Sequence, residues 1–221
     1  MRPREHVMFH DRTEAGQALG RRLRDQRLED PVVLGLPRGG VVVAAEVARA
    51  LNAPLDVLVA RKLGVPRQPE LAFGAVAPGV VALRDDIVAA AGIAKIQIDD
   101  AAARESGKLA ELAERYRGGI AAVPVRGRTA VIVDDGLATG ATATAAARSI
   151  RREEPARMVI AVPVCAPQTA NELRREVDLL FCLGEYHDFR AVGMYYDDFA
   201  SVSDDQVRDL IARSRHAPLG Q

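Results

Sequence analysis

The stretch Val131–Thr142, VIVDDGLATGAT, decides the fold, because an apolar run leads into two adjacent aspartates and then into a loop of small and hydroxylated residues. The segment TAVIVDD (129–135) predicts a buried strand, and Ala141–Glu153 predicts a helix. The loop that joins them leads to the N-terminus of this helix. Several backbone amides lack intrahelical acceptors there, and the helix dipole adds about half a positive charge. The stretch therefore predicts an anion site that a phosphate would fit.

The residue types in this loop suit close contact with an anion. Gly136 and Gly140 allow the backbone to approach a ligand closely. Thr139 and Thr142 add hydroxyl donors, and Thr144 is a further candidate. Backbone and hydroxyl groups are thus expected to bind the phosphate together.

Asp134 and Asp135 need a different partner, because a carboxylate beside a phosphate is repulsive. Both follow a buried strand, and ligands of open α/β sheets bind at the carboxyl ends of the strands. Sugar hydroxyls, or a divalent cation that accompanies the phosphate, would give the two acids a partner. The expected ligand is a small molecule that carries both a phosphate and a diol.

The segment GLPRGG (35–40) is a second turn from a strand to a helix. It offers free amides, and Arg38 adds a guanidinium that can bind phosphate oxygens in a forked geometry. A ligand with phosphates at both ends would use both turns. A plain tight connection explains GLPRGG equally well when that turn is considered alone.

Three other ligand motifs disagree with these segments in detail. A nucleoside-triphosphate P-loop needs Lys after its second Gly, whereas Ala141 follows Gly140. The dinucleotide fingerprint G-x-G-x-x-G is present in neither turn. A calcium loop would need alternating rather than adjacent acids.

The remaining chain alternates short apolar strands with helices, which favours a parallel sheet covered on both faces. The predicted strands are residues 32–36, 54–60, 129–135, 157–164 and 178–183. The predicted helices are residues 13–28, 41–51, 86–117, 141–153, 168–176 and 203–214. Residues 61–80, which are rich in Gly and Pro, predict a loop with a short hairpin around LAFGAV. This loop suits a lid in which Lys62 and Arg67 close over a ligand.

Composition narrows the class of protein. The 221 residues fit one sizeable domain, and 30 basic against 30 acidic residues give zero formal net charge. Neither a broad nucleic-acid surface nor a membrane surface is expected from this balance. Cys165 and Cys182 lie in separate apolar runs and are expected to be buried. The polar N-terminus and the lack of a long apolar run predict a cytoplasmic protein without a membrane span.

The VIVDDGLATGAT stretch resembles the phosphoribosyl-pyrophosphate (PRPP) signature of type I phosphoribosyltransferases (PRTases). Gly136 departs from the usual aliphatic residue and should loosen the loop slightly. GLPRGG resembles the family's pyrophosphate loop, and Arg61-Lys62 resembles the basic pair that opens its flexible loop. The segments RKLGVPRQPELAFGAV, YRGG and FRAVGMYYDDF resemble a bacterial subgroup of this family, so the resemblance covers most of the chain.

The resemblance implies an α/β fold of the PRTase type I kind, with an about five-stranded parallel sheet flanked by helices and a small hood over its carboxyl edge. Residues 1–221 would form a single phosphoribosyltransferase domain with its core at about 28–184. The hood would come from the C-terminal segment 185–221, which the N-terminus could join. A homodimer is usual for such proteins.

The resemblance also assigns ligand groups to the two turns. Asp134 and Asp135 would hold the ribose hydroxyls and, through ribose or water, a magnesium ion. The 5-phosphate would be held by Gly136, Leu137, Ala138, Thr139, Gly140, Ala141 and Thr142. Pyrophosphate would be held by Pro37, Arg38, Gly39 and Gly40, in a turn that often contains a non-proline cis peptide, with Arg61 and Lys62 closing over it.

The implied reaction transfers the ribose 5-phosphate of PRPP to a purine- or pyrimidine-type base and releases pyrophosphate in a magnesium-dependent step. Asp134, Asp135, Lys62 and Arg38 would be its catalytic residues. One alternative is a regulatory protein that senses PRPP without catalysis. Another is a mutase or kinase-like sugar-phosphate binder, which explains the phosphate loop but not two adjacent acids together with GLPRGG.

Aromatic residues are concentrated near the C-terminus. Of the four Tyr and five Phe residues, five fall within 186–199. Such a cluster suits stacking against a flat heterocycle, and it equally suits the small core of the hood.

Replacing Asp135 by Asn should weaken the binding of Mg·PRPP at least tenfold, which is about 1.4 kcal/mol or more. The amide keeps the size of the side chain but removes the charge that the ribose hydroxyls and the metal require. Isothermal titration of the variant measures this loss, and an unchanged affinity would refute the role given to the acid.

Overall fold

The computed structural model describes residues 9–66 and 68–216. Its helices are α1 (Arg12–Arg24), α2 (Gly39–Leu51), α3 (Asp85–Ala90), α4 (Lys95–Arg117), α5 (Ala141–Arg151), α6 (Pro167–Leu173) and α7 (Asp204–His216), with a short 3-10 helix at Val192–Tyr195. Its strands are β1 (Pro31–Gly35), β2 (Leu55–Val57), β3 (Arg61–Val65), β4 (Gln68–Ala77), β5 (Val80–Leu83), β6 (Thr129–Val133), β7 (Arg157–Cys165) and β8 (Leu179–Glu185).

The main sheet is parallel and has five strands in the order β2-β1-β6-β7-β8, which confirms the predicted architecture. Strand β1 pairs with β6 in a register that sets Val33 beside Val131. From β1 the chain continues to β2 on one side, while β6 lies on the other side. The gap between the carboxyl ends of β1 and β6 is therefore a switch point of the strand order, where open α/β sheets bind ligands.

Both faces of this sheet are buried, which explains why its strands are apolar without alternation. Val33 and Val131 face a cluster that includes residues of α1, α2 and α7, whereas Val32 and Ile132 face a cluster with α5. Helices α1 and α2 cross closely, because a β-carbon added at Gly20 would lie 2.6 Å from the Ala50 β-carbon. Every helix among the described residues is too short or too polar to cross a membrane.

Residues 61–83 form a second, antiparallel sheet in the order β3-β4-β5, so the predicted loop with a short hairpin is wrong. Glycine and proline residues here accompany an irregular strand pairing and not a loop. The register between β3 and β4 shifts on both sides of Gly64. The sheet packs on α5 through alanines, among them Ala75 and Ala145. Arg67, the second residue predicted for a lid, lies outside the described residues.

The C-terminal segment divides into two parts. Residues 186–200, here called the capping segment, pair with the N-terminal end of the described chain, since Phe9 N–H donates to the Tyr195 carbonyl at 2.9 Å. Helix α7 instead contributes Val207 and Ile211 to the main hydrophobic cluster with α1 and α2. Assigning all of 185–221 to the hood therefore disagrees with the packing of α7, which is a helix of the core.

The predicted helix 86–117 is two helices, α3 and α4, because Gly92 between them has a φ of +61°. The C-terminal end of α4 is tied to strand β2 by the buried Asp56. Its carboxylate accepts hydrogen bonds from Arg117 Nε at 2.9 Å, Val57 N–H at 2.7 Å and Val123 N–H at 2.8 Å. This carboxylate fixes the strand whose extension leads to Arg61 and Lys62.

Asp56→Ala should lower the free energy of unfolding by about 3 kcal/mol, because it removes one partner of a buried ion pair and leaves two amides without their acceptor. Urea unfolding followed by circular dichroism measures the loss. Asp30→Ala is the matched control, since Asp30 pairs with Arg128 at the surface and should change stability much less. Equal losses in the two variants would contradict the prediction.

Candidate active site

The two predicted turns touch one another at the switch point of the sheet. A β-carbon added at Gly40 would lie 2.8 Å from Asp134 Oδ1, and one added at Gly39 would overlap the Asp135 carboxylate. Both glycines are therefore needed for the turns to approach this closely. A cavity of about 300 Å³ opens at the junction and is lined by Leu36, Pro37, Ala60, Arg61, Lys62, Asp134 and Thr142.

The GLPRGG turn contains a cis peptide between Pro37 and Arg38, as the resemblance implied. Helix α2 begins directly after it at Gly39, so the amides of its first turn lie beside the junction. The Arg38 side chain is 55% exposed, and its Nη1 lies 3.8 Å from Asp204 Oδ1. This guanidinium is thus exposed, and it lines a second cavity that adjoins the first at Pro37.

The two acids have different surroundings. Asp134 lines the cavity, and its Oδ1 accepts the Asp135 N–H at 2.9 Å. Asp135 instead accepts a hydrogen bond from Arg12 Nε on its Oδ2 atom at 2.7 Å. Only 11% of the Arg12 side chain and 15% of the Asp135 side chain are exposed. Burial, and then the Asp135 charge, raise the pKa of Asp134. Burial also raises the pKa of Asp135, although the hydrogen bond from Arg12 opposes this.

Leu137 anchors the phosphate loop to strand β7 and does not face the cavity. Its N–H donates to the Val164 carbonyl at 3.0 Å, and its own carbonyl accepts the Ala166 N–H at 3.1 Å. Its side chain is buried. The predicted contact of Leu137 with the phosphate therefore disagrees with its hydrogen bonds, because its amide already has an acceptor.

Gly136 serves close packing and does not loosen the loop as predicted. A β-carbon at this position would lie 2.6 Å from Val192 Cγ1 and 3.0 Å from Val164 Cγ2. The capping segment thus rests directly on the residue that follows the acid pair. An aliphatic residue at position 136 would displace Val192.

The N-terminus of α5 lies where the sequence predicts an anion site. Gly140 precedes the helix with a φ of +70°, and a β-carbon there would lie 2.6 Å from Thr169 Cγ2. The first amides of α5, from Ala141 onward, have no acceptor within the helix. Ala138 and Thr139 are exposed, and Thr142 reaches the cavity. Thr144 is not a free donor, since its hydroxyl donates to the Gly140 carbonyl at 3.0 Å.

The basic pair Arg61-Lys62 approaches the cavity from strand β3 and not from a loop. Lys62 lines the cavity with Asp134 and Thr142. Arg61 also lines it, but its Nε donates to Glu105 Oε2 at 2.6 Å. Although burial opposes it, hydrogen bonds from Arg61 and Lys108 lower the pKa of Glu105 to about 2. Arg61 is thus held by α4, and both members of the pair line the cavity together with Asp134.

A second cavity, of about 790 Å³, shares Pro37, Ala60 and Arg61 with the first. Its lining includes basic residues, namely Arg38, Arg61, Lys108 and Arg115, as well as Glu111 and Asp204. Tyr116 donates its hydroxyl to Asp204 at 2.9 Å, and burial followed by this bond raises the pKa of Tyr116 to about 12. Both cavities carry charges of mixed sign, since the smaller one is lined by Arg61, Lys62 and Asp134.

Arg12 is the residue that the sequence analysis missed. It is the first residue of α1 and lies 123 positions before Asp135. The Asp11 side chain caps this helix, because it accepts a hydrogen bond from the Glu14 N–H. This bond fixes the start of the helix and therefore the position of Arg12. A lone arginine at a helix start carries no motif, so the sequence contains no signal for this contact.

The five aromatic residues of the capping segment pack on one another. Tyr195 stacks against Tyr186 at 4.6 Å and against Phe189 at 5.0 Å between ring centroids. Tyr196 lies 5.0 Å from Phe199, whose face is covered by the Arg12 guanidinium at 3.7 Å. These contacts favour the second of the two predicted roles, a small core of the cap, over stacking on a heterocycle.

Among the described residues, no group of three or more His, Cys, Asp or Glu could hold a metal ion. Asp134 is the member of the acid pair that lines the cavity.

A helix start beside a partly buried acid pair, at the switch point of a parallel sheet, matches the type I PRTase fold. Comparison with known proteins agrees. Residues 11–198 match the family described as the phosphoribosyl transferase domain, and the chain belongs to this family.

Two relatives illustrate the similarity. Rv0571c of Mycobacterium tuberculosis strain H37Rv, which bears a provisional phosphoribosyl transferase name, is 46% identical over 208 residues, or 94% of this chain. The alignment covers 47% of that protein, so the chain spans about half the length of the curated relatives it matches. The crystal structure of TT1426 from Thermus thermophilus is 43% identical, with a TM-score of 0.78 over 93% of this chain and 98% of that one.

Gly40→Ala should separate the two turns and lower the free energy of unfolding by about 1–3 kcal/mol, because the new methyl group meets backbone atoms that cannot easily move. Thermal unfolding measures the effect. Gly107→Ala is the control, since nothing lies within 4 Å of its added β-carbon in helix α4. The control should gain about 0.5–1 kcal/mol. A stabilised Gly40→Ala variant would contradict the contact.

Proposed function

We propose that the chain is a magnesium-dependent phosphoribosyltransferase that transfers the ribose 5-phosphate of PRPP to a nitrogenous base and releases pyrophosphate. The observation that carries this proposal is the contact between the Pro37–Gly40 turn and the acid pair. A doubly phosphorylated pentose needs two anion sites with carboxylates between them, and this junction offers that order of groups. We also expect a homodimer, as is usual for PRTases.

Each end of the ligand has a matching group in this proposal. The 5-phosphate is bound by the N-terminus of α5 with Thr139 and Thr142. The ribose diol faces Asp134, whose carboxylate accepts hydrogen bonds from the hydroxyls. Pyrophosphate lies between the start of α2, Arg38 and Lys62, where charge-assisted hydrogen bonds neutralise it.

In the reaction, a ring nitrogen of the base forms a bond to the anomeric carbon while the bond from that carbon to pyrophosphate breaks. Positive charge grows on the sugar ring, and negative charge grows on the leaving group. The buried carboxylate of Asp134 stabilises the first, whereas Arg38, Lys62 and the α2 amides stabilise the second. Magnesium, when bound with the substrate, neutralises pyrophosphate charge.

Protection from water follows from the packing around the junction. The β3-β4-β5 sheet lies on α5 and brings Lys62 to the cavity, while Val192 of the capping segment covers Gly136. Both elements limit the access of water to a reactive sugar cation, which would otherwise be hydrolysed.

A second candidate function, PRPP binding without catalysis, is favoured by one observation. The rings that could stack on an acceptor base are engaged with one another and with Arg12. A protein that only senses PRPP needs the sugar-phosphate pocket but no surface for a base.

The proposal is tested by pyrophosphate release with PRPP, Mg²⁺ and a panel of purine and pyrimidine bases. We expect turnover with at least one base, and a loss of at least tenfold in kcat/KM for Lys62→Ala, because a charge facing the leaving group is removed. Lys95→Ala is the control, since Lys95 pairs with Asp99 at the surface of α4 and should leave the rate unchanged.

Titration calorimetry separates the two candidate functions. Binding of Mg·PRPP without turnover on any base would support the sensor and refute the enzyme. No binding of PRPP, with or without Mg²⁺, would refute both.

A further inference from the structure

We propose that Arg12 is a positioning residue of the sugar site, which holds the Asp135 carboxylate in place and couples the acid pair to the docking of the capping segment. The inference rests on the proposed function, because it takes the acid pair to be the sugar site. It adds a residue and a regulated contact that the PRPP signature itself does not contain.

Three contacts fix the Arg12 guanidinium. Its Nε donates to Asp135 Oδ2 at 2.7 Å, and its Nη1 donates to the Ala200 carbonyl at 2.8 Å. Its central carbon lies 3.7 Å from the centroid of the Phe199 ring. A planar cation held from two edges and one face has little freedom, so it defines one orientation for the carboxylate it binds.

The acid pair needs such a cation. Two adjacent carboxylates repel one another, so each needs a partner that fixes its direction. The groups that face Asp135 are Asp134, Arg12 and the hydroxyl of Tyr196, which donates to the Asp135 carbonyl at 2.6 Å. Arg12 is the only cation among these three groups, and its hydrogen bond to Oδ2 fixes the direction in which the Asp135 carboxylate points.

Arg12 also gives the two aspartates different roles. Its ion pair turns Asp135 toward α1, whereas Asp134 lines the cavity. Asp134 therefore meets the ligand directly, and Asp135 completes the site only in the orientation that Arg12 imposes. A changed Arg12 should accordingly act on substrate affinity through the direction of the Asp135 carboxylate rather than remove a ligand contact.

The capping segment meets the acid-pair loop at neighbouring points. Phe199 and Ala200 hold Arg12, Tyr196 bonds to the Asp135 carbonyl, and Val192 lies on Gly136. Any ligand that stabilises the acid pair in this arrangement must also stabilise the docked segment, because the two share these contacts. Binding at the sugar site and docking of the cap are thus linked.

Arg12→Met is the main test, since it keeps an unbranched side chain and removes the charge. The Kd for Mg·PRPP is measured by calorimetry, and amide hydrogen exchange of the capping segment is followed with and without Mg·PRPP. We expect at least tenfold weaker binding, and we expect the protection that Mg·PRPP gives the capping segment in the native protein to be lost, because the side chain that links the two is changed. Arg21→Ala, an exposed arginine on the same helix, is the control and should match the native protein.

Two further variants complete the design. Arg12→Lys keeps the charge but not the fork, so it should bind less tightly than the native protein and retain most of the ligand-induced protection of the capping segment. Phe199→Leu leaves the ion pair and removes the stacked ring, so it should weaken binding about threefold through the cap. If Arg12→Met does not fold, these two variants decide the question.

The outcomes are distinguishable. Native affinity and native protection of the capping segment in Arg12→Met, or native affinity in both Arg12→Lys and Phe199→Leu, would overturn the positioning role. If the native protein binds no PRPP, the proposed function fails. Hydrogen exchange without ligand then decides separately whether Arg12 holds the capping segment, and unchanged exchange of residues 186–200 in Arg12→Met would overturn that as well.

Discussion

The close approach of two glycines to two aspartates is the constraint on which the rest of this structure depends. Gly39 and Gly40 lie against Asp135 and Asp134, and side chains at either glycine would force the turns apart. Adjacent parallel strands bring the turns to one edge of the sheet, but only the missing β-carbons allow contact. One pocket with anion-binding amides on both sides of an acid pair is the result.

Placing two carboxylates together in a partly buried site costs free energy. A cation from a distant part of the chain offsets this cost. Arg12 reaches the pair from the first turn of α1, and Phe199 and Ala200 keep it there. The surroundings of the acid pair are therefore completed by residues from near both ends of the described chain. In this respect the cap is part of the electrostatics of the site as well as a cover for it.

The sequence predicted the parallel sheet and the two turns because each depends on local pattern: apolar strands followed by Gly-rich starts of helices. It failed where tertiary packing overrides local preference, as in residues 61–83, where Gly64 marks a register shift in a sheet. It could not identify Arg12, whose partner is fixed by three-dimensional proximity alone. The roles of Gly136 and Leu137 likewise depend on neighbours that are distant in the sequence, namely Val192 for Gly136 and strand β7 for Leu137.

The packing of Val192 on Gly136 has a consequence for the divergence of related chains. Members of the family that carry a branched aliphatic residue at the position of Gly136 cannot keep a valine at the position of Val192 in the same place, because the two would occupy the same volume. The side chains at the two positions should therefore vary together, so that a large one at either position accompanies a small one at the other. A chain with bulk at both should hold its cap farther from the sheet, leaving a wider entrance for the second substrate.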